Sequence, residues 1–179
     1  MHNTRLDNKG MDFRTTAAEY QYGVRASALI IHAGKLLTYG HDGKYFVPGG
    51  AVQVGEHSAD AVSREVHEEL GIDCTVRQLA FVGEHLFTVH GMPNHRVEFH
   101  YLVEVEPETV PITTCEEEHR YPCVWLPLDS LADYPLKPKF LVHELPQWNG
   151  KLKHLATYEE SVLASECTNR ECFLHLVAI

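Results

Sequence analysis

Residues 58–70 constrain the fold more than any other part of this 179-residue chain. Ala59, Val62, Val66 and Leu70 recur at spacings of three and four, which places one apolar stripe along a helix. Ser58 is positioned to cap its start, and Gly71 stands where a left-handed C-terminal residue belongs. Glu65, Glu68 and Glu69 fall at i, i+3 and i+4, so the three carboxylates emerge close together, and the spacing predicts them on the face away from the stripe. Like charges crowded in this way destabilise an isolated helix. A solvated acidic face is the simplest account of such a run, but the neighbours argue for more. The short strand expected at 45–47 is stopped by Pro48, and Gly49-Gly50 follow as a backbone that can be approached closely. Glu56 lies in the joining loop and Arg64 adjoins Glu65, so oxygen donors and a positioning cation share one short stretch. Hard divalent ions such as Mg²⁺ select carboxylate and carbonyl oxygens, and fill other positions with water and substrate phosphates.

The stretch GAVQVGEHSADAVSREVHEELGI, residues 50–72, resembles the Nudix box, G-x5-E-x7-R-E-U-x-E-E-x-G-U with U aliphatic, and matches it at every specified position. With each fixed residue at about 6–9% of average composition, a chance match is on the order of 10⁻⁷. The resemblance extends to YFVPGG before the box and to VWLPLDSL, residues 124–131, after it. It is taken to cover residues 22–158, with residues 1–21 a polar lead-in and 159–179 a C-terminal extension.

This resemblance implies an α/β fold, an α/β/α sandwich around a mixed β-sheet. It also implies hydrolysis of a nucleoside diphosphate linked to another moiety, by water attack on phosphorus. Carried over position by position, Glu65 and Glu69 become the main ligands of Mg²⁺ or Mn²⁺. Glu68 joins them directly or through water, and the carbonyl of Gly49 or Gly50 adds an oxygen. Glu56 and Arg64 support the set, Arg64 by holding the loop and the glutamates in register, while Gly71 lets the chain leave the helix sharply. The general base is either a box glutamate, Glu65 or Glu68, or one of Glu116, Glu117 and Glu118 on a later loop. The loop trio, with Glu117 at its centre, is preferred because ligated carboxylates have their basicity committed to metal. Gln53 departs from many relatives, which carry a glutamate there. Two other readings are a nucleotide-binding regulatory module without turnover and an isoprenoid diphosphate isomerase. The complete set of Glu56, Arg64, Glu65, Glu68 and Glu69 speaks against the first, and no Cys/Glu pair for the second's proton transfer is identifiable.

Outside the box the chain is β-rich. Strands are expected at 24–31 and 35–39, joined by a hairpin turn at Ala33-Gly34, at 74–89 and 97–105 around a turn-rich 91–94, and at 121–126. A helix is expected at 138–145. His85, His90, His95 and His100 recur every five residues, which is neither a helical nor a strand repeat, so local hydrogen bonding is favoured over a transition-metal site. Arg25, Tyr45, Phe46, His95 and Arg96 are candidates for phosphate pairing or base stacking. Five cysteines without a C-x-x-C pair, and no signal-like or membrane-length apolar run, point to reduced thiols in a cytoplasmic, membrane-free protein. A homodimer would suit the family. The 25 acids outnumber 15 basic residues, which excludes a sequence-independent grip on nucleic acid. The excess is concentrated in residues 50–72, with five acids against Arg64, and in residues 104–118, with six acids and no Lys or Arg. A small nucleotide approaching this acidity needs cations to accompany it.

Overall fold

In the computed structural model, which describes residues 10–89, 91–116 and 119–159, the chain opens with two hairpins. These are built from β1 (Arg14–Ala17), β2 (Tyr20–His32) and β3 (Lys35–His41). Ala33 and Gly34 both take positive φ, 47° and 74°, the primed-turn geometry whose twist matches that of paired strands. β4 (Lys44–Phe46) pairs with β3, and β5 (Gly49–Ala51) folds back on β2. Helix α1 (Ser58–Leu70) leads into a long hairpin of β6 (Thr75–Val89) and β7 (Met92–Glu104). β8 (Thr113–Glu116), β9 (His119–Pro127), β10 (Leu136–Lys137), the short helix α2 (Leu141–Glu144) and β11 (Lys153–Glu159) complete the described chain. The sheet runs β10-β4-β3-β2-β7-β6-β11, with β2–β7, β6–β11 and β4–β10 parallel and the remaining pairs antiparallel, so it is mixed as expected.

Strand alternation divides the core between the two faces of this sheet. Ala26, Ala28 and Ile30 of β2 pack with Ala61, Val62, Val66 and Leu70 of α1 on one face. Leu29 joins Phe81, Leu126, Phe140 and Leu141 on the other. Each fully buried aliphatic side chain contributes roughly 1.5–3 kcal/mol of transfer free energy. The layering is therefore α1, sheet, then α2 with the 3₁₀ turn at 128–133.

Three local expectations change, and part of the N-terminal lead-in is ordered against the domain. Ser58 does not cap α1: His57 is the N-cap residue, without a side-chain cap bond, and the Ser58 hydroxyl pairs instead with the Tyr101 hydroxyl at 2.7 Å. The turn expected over 91–94 is shorter, because β7 already starts at Met92 and pairs with Val89. Pro93 is tolerated there because β2 joins β7 only from Asn94 onward, leaving β7 an edge strand at the proline. The helix expected at 138–145 contracts to four residues, since its first turn closes by i→i+3 bonds from Leu141, Val142 and His143. Residues 10–13, read as part of a lead-in, hold the loop before α1: Val54 N–H donates to Met11 O and Phe13 N–H to Val52 O, each at 2.7 Å. Residues 160–179 lie outside the described residues.

Candidate active site

The loop and helix of the box are tied together by Arg64. Its guanidinium donates to both Glu56 oxygens, at 2.8 and 3.0 Å, to Glu65 at 2.7 Å, to Glu68 at 3.0 Å, and to the Ala51 carbonyl at 2.9 Å. Glu56 also accepts the Gln53 N–H at 2.9 Å, which closes the loop on itself. Hydrogen bonding to Arg64 holds the Glu56 carboxyl below the usual carboxylate range. Burial pushes Glu65 the other way, and Arg64 only partly offsets it. Gly71 leaves the helix with φ 68°, the left-handed geometry expected from its position.

The three helix carboxylates do not share one solvent face, which corrects the sequence reading. Glu68 is 56% exposed at its side chain, whereas Glu69 is buried at 5%. The cause is tertiary: β5 runs against α1 and covers the flank of the stripe on which Glu65 and Glu69 stand. Glu69 Oε2 accepts the Gly49 N–H at 3.0 Å. The Glu65 carboxylate occupies the space a side chain on Gly50 would need, since a Cβ there would meet Glu65 Oε1 at 2.2 Å. At Gly49, with φ 147°, a Cβ would lie 2.3 Å from the Ala26 carbonyl oxygen. Two substitutions should thus separate fold from site. Gly49→Ala meets backbone and is expected to lower stability by about 1–3 kcal/mol. Gly50→Ala meets only the end of a side chain, so it is expected to displace Glu65 and lower activity with the melting temperature nearly kept. Thermal denaturation beside turnover reads both.

Gly49 is also linked to a cavity through Arg25. Its carbonyl accepts a hydrogen bond from Arg25, whose guanidinium stands on the wall of a cavity of about 720 Å³. Burial disfavours the Arg25 charge, but Glu98, Tyr39, Glu69 and Glu65 outweigh it and keep the group firmly protonated. Phe46, Arg96 and Tyr121 line the same cavity, and Tyr39 stacks on Phe46 at 5.7 Å and on Tyr121 at 5.8 Å. Arg96 lies over the Phe87 ring at 5.0 Å, and burial weakens its hold on its proton.

Of the five candidate substrate contacts, Arg25, Phe46 and Arg96 therefore line this cavity. Tyr45 packs into the core instead, edge-on to Tyr134 at 5.7 Å. His95 lies beside Tyr22 at 4.3 Å, in a neighbouring cavity of about 440 Å³ shared with Arg14, Arg25 and Arg96. Glu117 and Glu118 lie outside the described residues, although β8, which leads to them, packs against α1. Sequence reasoning missed Tyr39, Tyr121 and Glu98. Glu98 had a signal, because Arg96, Glu98 and His100 alternate along β7 with the period of a single strand face.

The donors Glu65, Glu68 and Glu69, with the Gly49-Gly50 turn beside them, are all oxygen, the chemistry suited to a hard divalent cation. A carboxylate helix locked by one arginine lies against the Gly49-Gly50 strand, and Arg25 links that strand to a cavity with cationic and aromatic walls. The NUDIX domain family matches residues 22–147, and the chain belongs to that family. The Mus musculus protein "Nucleoside diphosphate-linked moiety X motif 6" is 27% identical over 121 residues, covering 64% of this chain and 37% of that protein. The chain thus spans little more than a third of that relative's length. Among solved structures, the MutT protein from Bacillus halodurans superposes with a TM-score of 0.58 at 18% identity, over 77% of this chain and 90% of that one. The MutT NUDIX hydrolase from Burkholderia pseudomallei superposes with a TM-score of 0.50 at 29% identity, over 61% and 85%.

Proposed function

We propose that this chain is a Mg²⁺-dependent hydrolase that releases a nucleoside monophosphate from a small nucleotide derivative. The observation that carries the reading is the double engagement of Gly49: its N–H holds Glu69 of the box helix, and its carbonyl holds Arg25 of the cavity. One residue thereby joins an anionic, metal-suited helix to a cationic cavity with aromatic walls. Glu65 and Glu69, with Glu68 beside them, would hold the ion. When bound, Mg²⁺ lowers the pKa of a coordinated water and offsets charge on the diphosphate.

The protein side of the reaction follows from the remaining groups. Arg25 and Arg96 present guanidinium groups to the cavity for phosphate oxygens, and Phe46 and Tyr121 offer faces for a base. Arg64 holds Glu56 and Glu65 in place so that the carboxylate set is oriented before substrate arrives. Glu117 is proposed as the base that takes a proton from the attacking water, supported by the contact of β8 with α1. The acidic helix also rejects bare phosphate chains, which favours a small substrate carrying its own cation over nucleic acid.

Product identification from a panel of nucleoside triphosphates, nucleotide sugars and dinucleotide polyphosphates, with and without Mg²⁺, tests this. Metal-dependent monophosphate release from one class is expected. Pyrophosphate as co-product marks a triphosphate, and a sugar phosphate marks a nucleotide sugar. Nucleotide binding without product from any member would support the regulatory module instead.

A further inference from the structure

The alternation along β7 places Arg96, Glu98 and His100 on one face of the sheet, opposite the face that packs α1. Pairing with β6 sets His85 opposite Arg96, Gly83 opposite Glu98 and Phe81 opposite His100. Gly83 has no side chain to stand against Glu98, and the His85 ring leans into that space: a Cβ on Gly83 would meet His85 Nε2 at 2.3 Å. The tilt brings His85, Glu98 and His100 together, with one ligand atom from each within 4.8 Å of the others. All three are buried, His100 completely.

His100 has no hydrogen-bond partner on either ring nitrogen among the described residues. An imidazole sealed in the interior with both nitrogens unmatched is costly unless another species takes the lone pair. Burial pushes its pKa down to about 4 against the opposing field of Glu98, so the ring is neutral at pH 7 and keeps that lone pair. The surroundings also orient the other two groups. Thr157 Oγ1 lies 2.6 Å from His85 Nδ1, a bond that places the proton on Nδ1 whenever Nε2 ligates an ion. Ser27 donates to Glu98 Oε1, and Arg25 Nε lies 3.5 Å from the same oxygen, so Oε2 is the one open to an ion. Phe140 stacks on His85 at 5.6 Å and meets His100 edge-on at 5.2 Å, fixing both rings.

We propose that His85, Glu98 and His100 form a second metal centre, separate from the carboxylate helix, that binds one divalent transition ion of the Zn²⁺ type. Two imidazoles and one carboxylate select a borderline ion over Mg²⁺. Tetrahedral bonds of about 2.1 Å put donor atoms about 3.4 Å apart, so closing the cluster takes side-chain movements on the order of an ångström. His85 and Glu98 line the large cavity and His100 lies beneath its wall, so the fourth position opens to the cavity. Three protein ligands with one open position is the pattern of a reactive rather than a purely structural zinc site. This centre does not depend on the nucleotide reading.

The test is Zn²⁺ binding by the full chain in excess Mg²⁺, added to compete for the carboxylate helix. Metal content after gel filtration is expected to be one Zn²⁺ per chain, kept in Glu69→Gln. Affinity is expected to fall at least about 100-fold in His85→Gln and Glu98→Gln, beyond the usual cost of losing an outer-shell partner. Gly83→Ala, which displaces the His85 ring without replacing any ligand, is expected to weaken binding as well. Imidazole ¹⁵N spectra of the unmodified protein need no variant: His85 and His100 are expected to shift together on adding one equivalent of Zn²⁺. Absence of retained zinc, unshifted His85 and His100 signals, or undiminished affinity in His85→Gln and Glu98→Gln would overturn the centre. Loss of zinc in Glu69→Gln alone would assign it to the box helix.

Discussion

Glu69→Gln is expected to lower the proposed metal-dependent turnover by more than about 100-fold, above the 10–100-fold cost typical of losing a mere outer-shell partner. The substitution keeps the size and the acceptor oxygen that the Gly49 N–H requires, so the bond that holds the β5 turn to α1 has a replacement. It removes the negative charge on which a hard cation depends. Circular dichroism and melting temperature should therefore stay close to the parent while activity is lost. Raising Mg²⁺ should recover part of the rate if the loss is one of affinity. Turnover at the parental level would remove Glu69 from the ligand set and leave Glu65 and Glu68 to be tested in the same way.

Arg64→Ala is expected to cost both activity and stability, and this double effect separates it from the first variant. Removing the guanidinium strips Glu56 and Glu65 of their partner, and leaves the Ala51 carbonyl without its side-chain donor. Breaking a fully buried ion pair from one side costs about 3–5 kcal/mol, and this one is partly open to solvent, so about 2–3 kcal/mol is expected. For a chain of this size that is a fall of about 5–10 °C in melting temperature. Arg64→Lys should recover the charge without the fork, since one ammonium cannot hold both Glu56 oxygens and Glu65 together. Its activity is expected to lie nearer to that of Arg64→Ala than to the parent. Unchanged melting of Arg64→Ala would show that the network orients the glutamates without stabilising the fold.

The helix, its glycine terminator and the arginine that binds its loop were legible because each is a local pattern, a period or a residue at a fixed offset. The burial of Glu69 was not, because it depends on β5 being held by the distant β2 and folded back over α1. Tyr45 and Phe46 show the same limit on a smaller scale. Adjacent strand residues face opposite ways, and the sequence offers no means of telling which face opens on a cavity. The histidines were read along the chain, where intervals of five meant nothing. Across the β6–β7 hairpin the same His85 and His100 meet, because register and an absent side chain at Gly83 bring together groups that no linear spacing relates. Alternation in RVEFH was visible as a polar strand face, and a neighbouring strand at 74–89 was expected, but the register that sets Gly83 opposite Glu98 was not legible.

The backbone bonds from residues 10–13 to the loop before α1, and the pairing of β11 with β6, bear on where this domain has its edges. Family resemblance is measured on residues 22–147, and both of these structures lie beyond that stretch. The stretch that matches the family is thus smaller than the body that folds. The added margins are not inert trim: one clasps the loop that carries Glu56, and the other brings Thr157 to His85. A change confined to either border can therefore reach the Glu56 loop or the His85 imidazole while every residue of the box stays as it is.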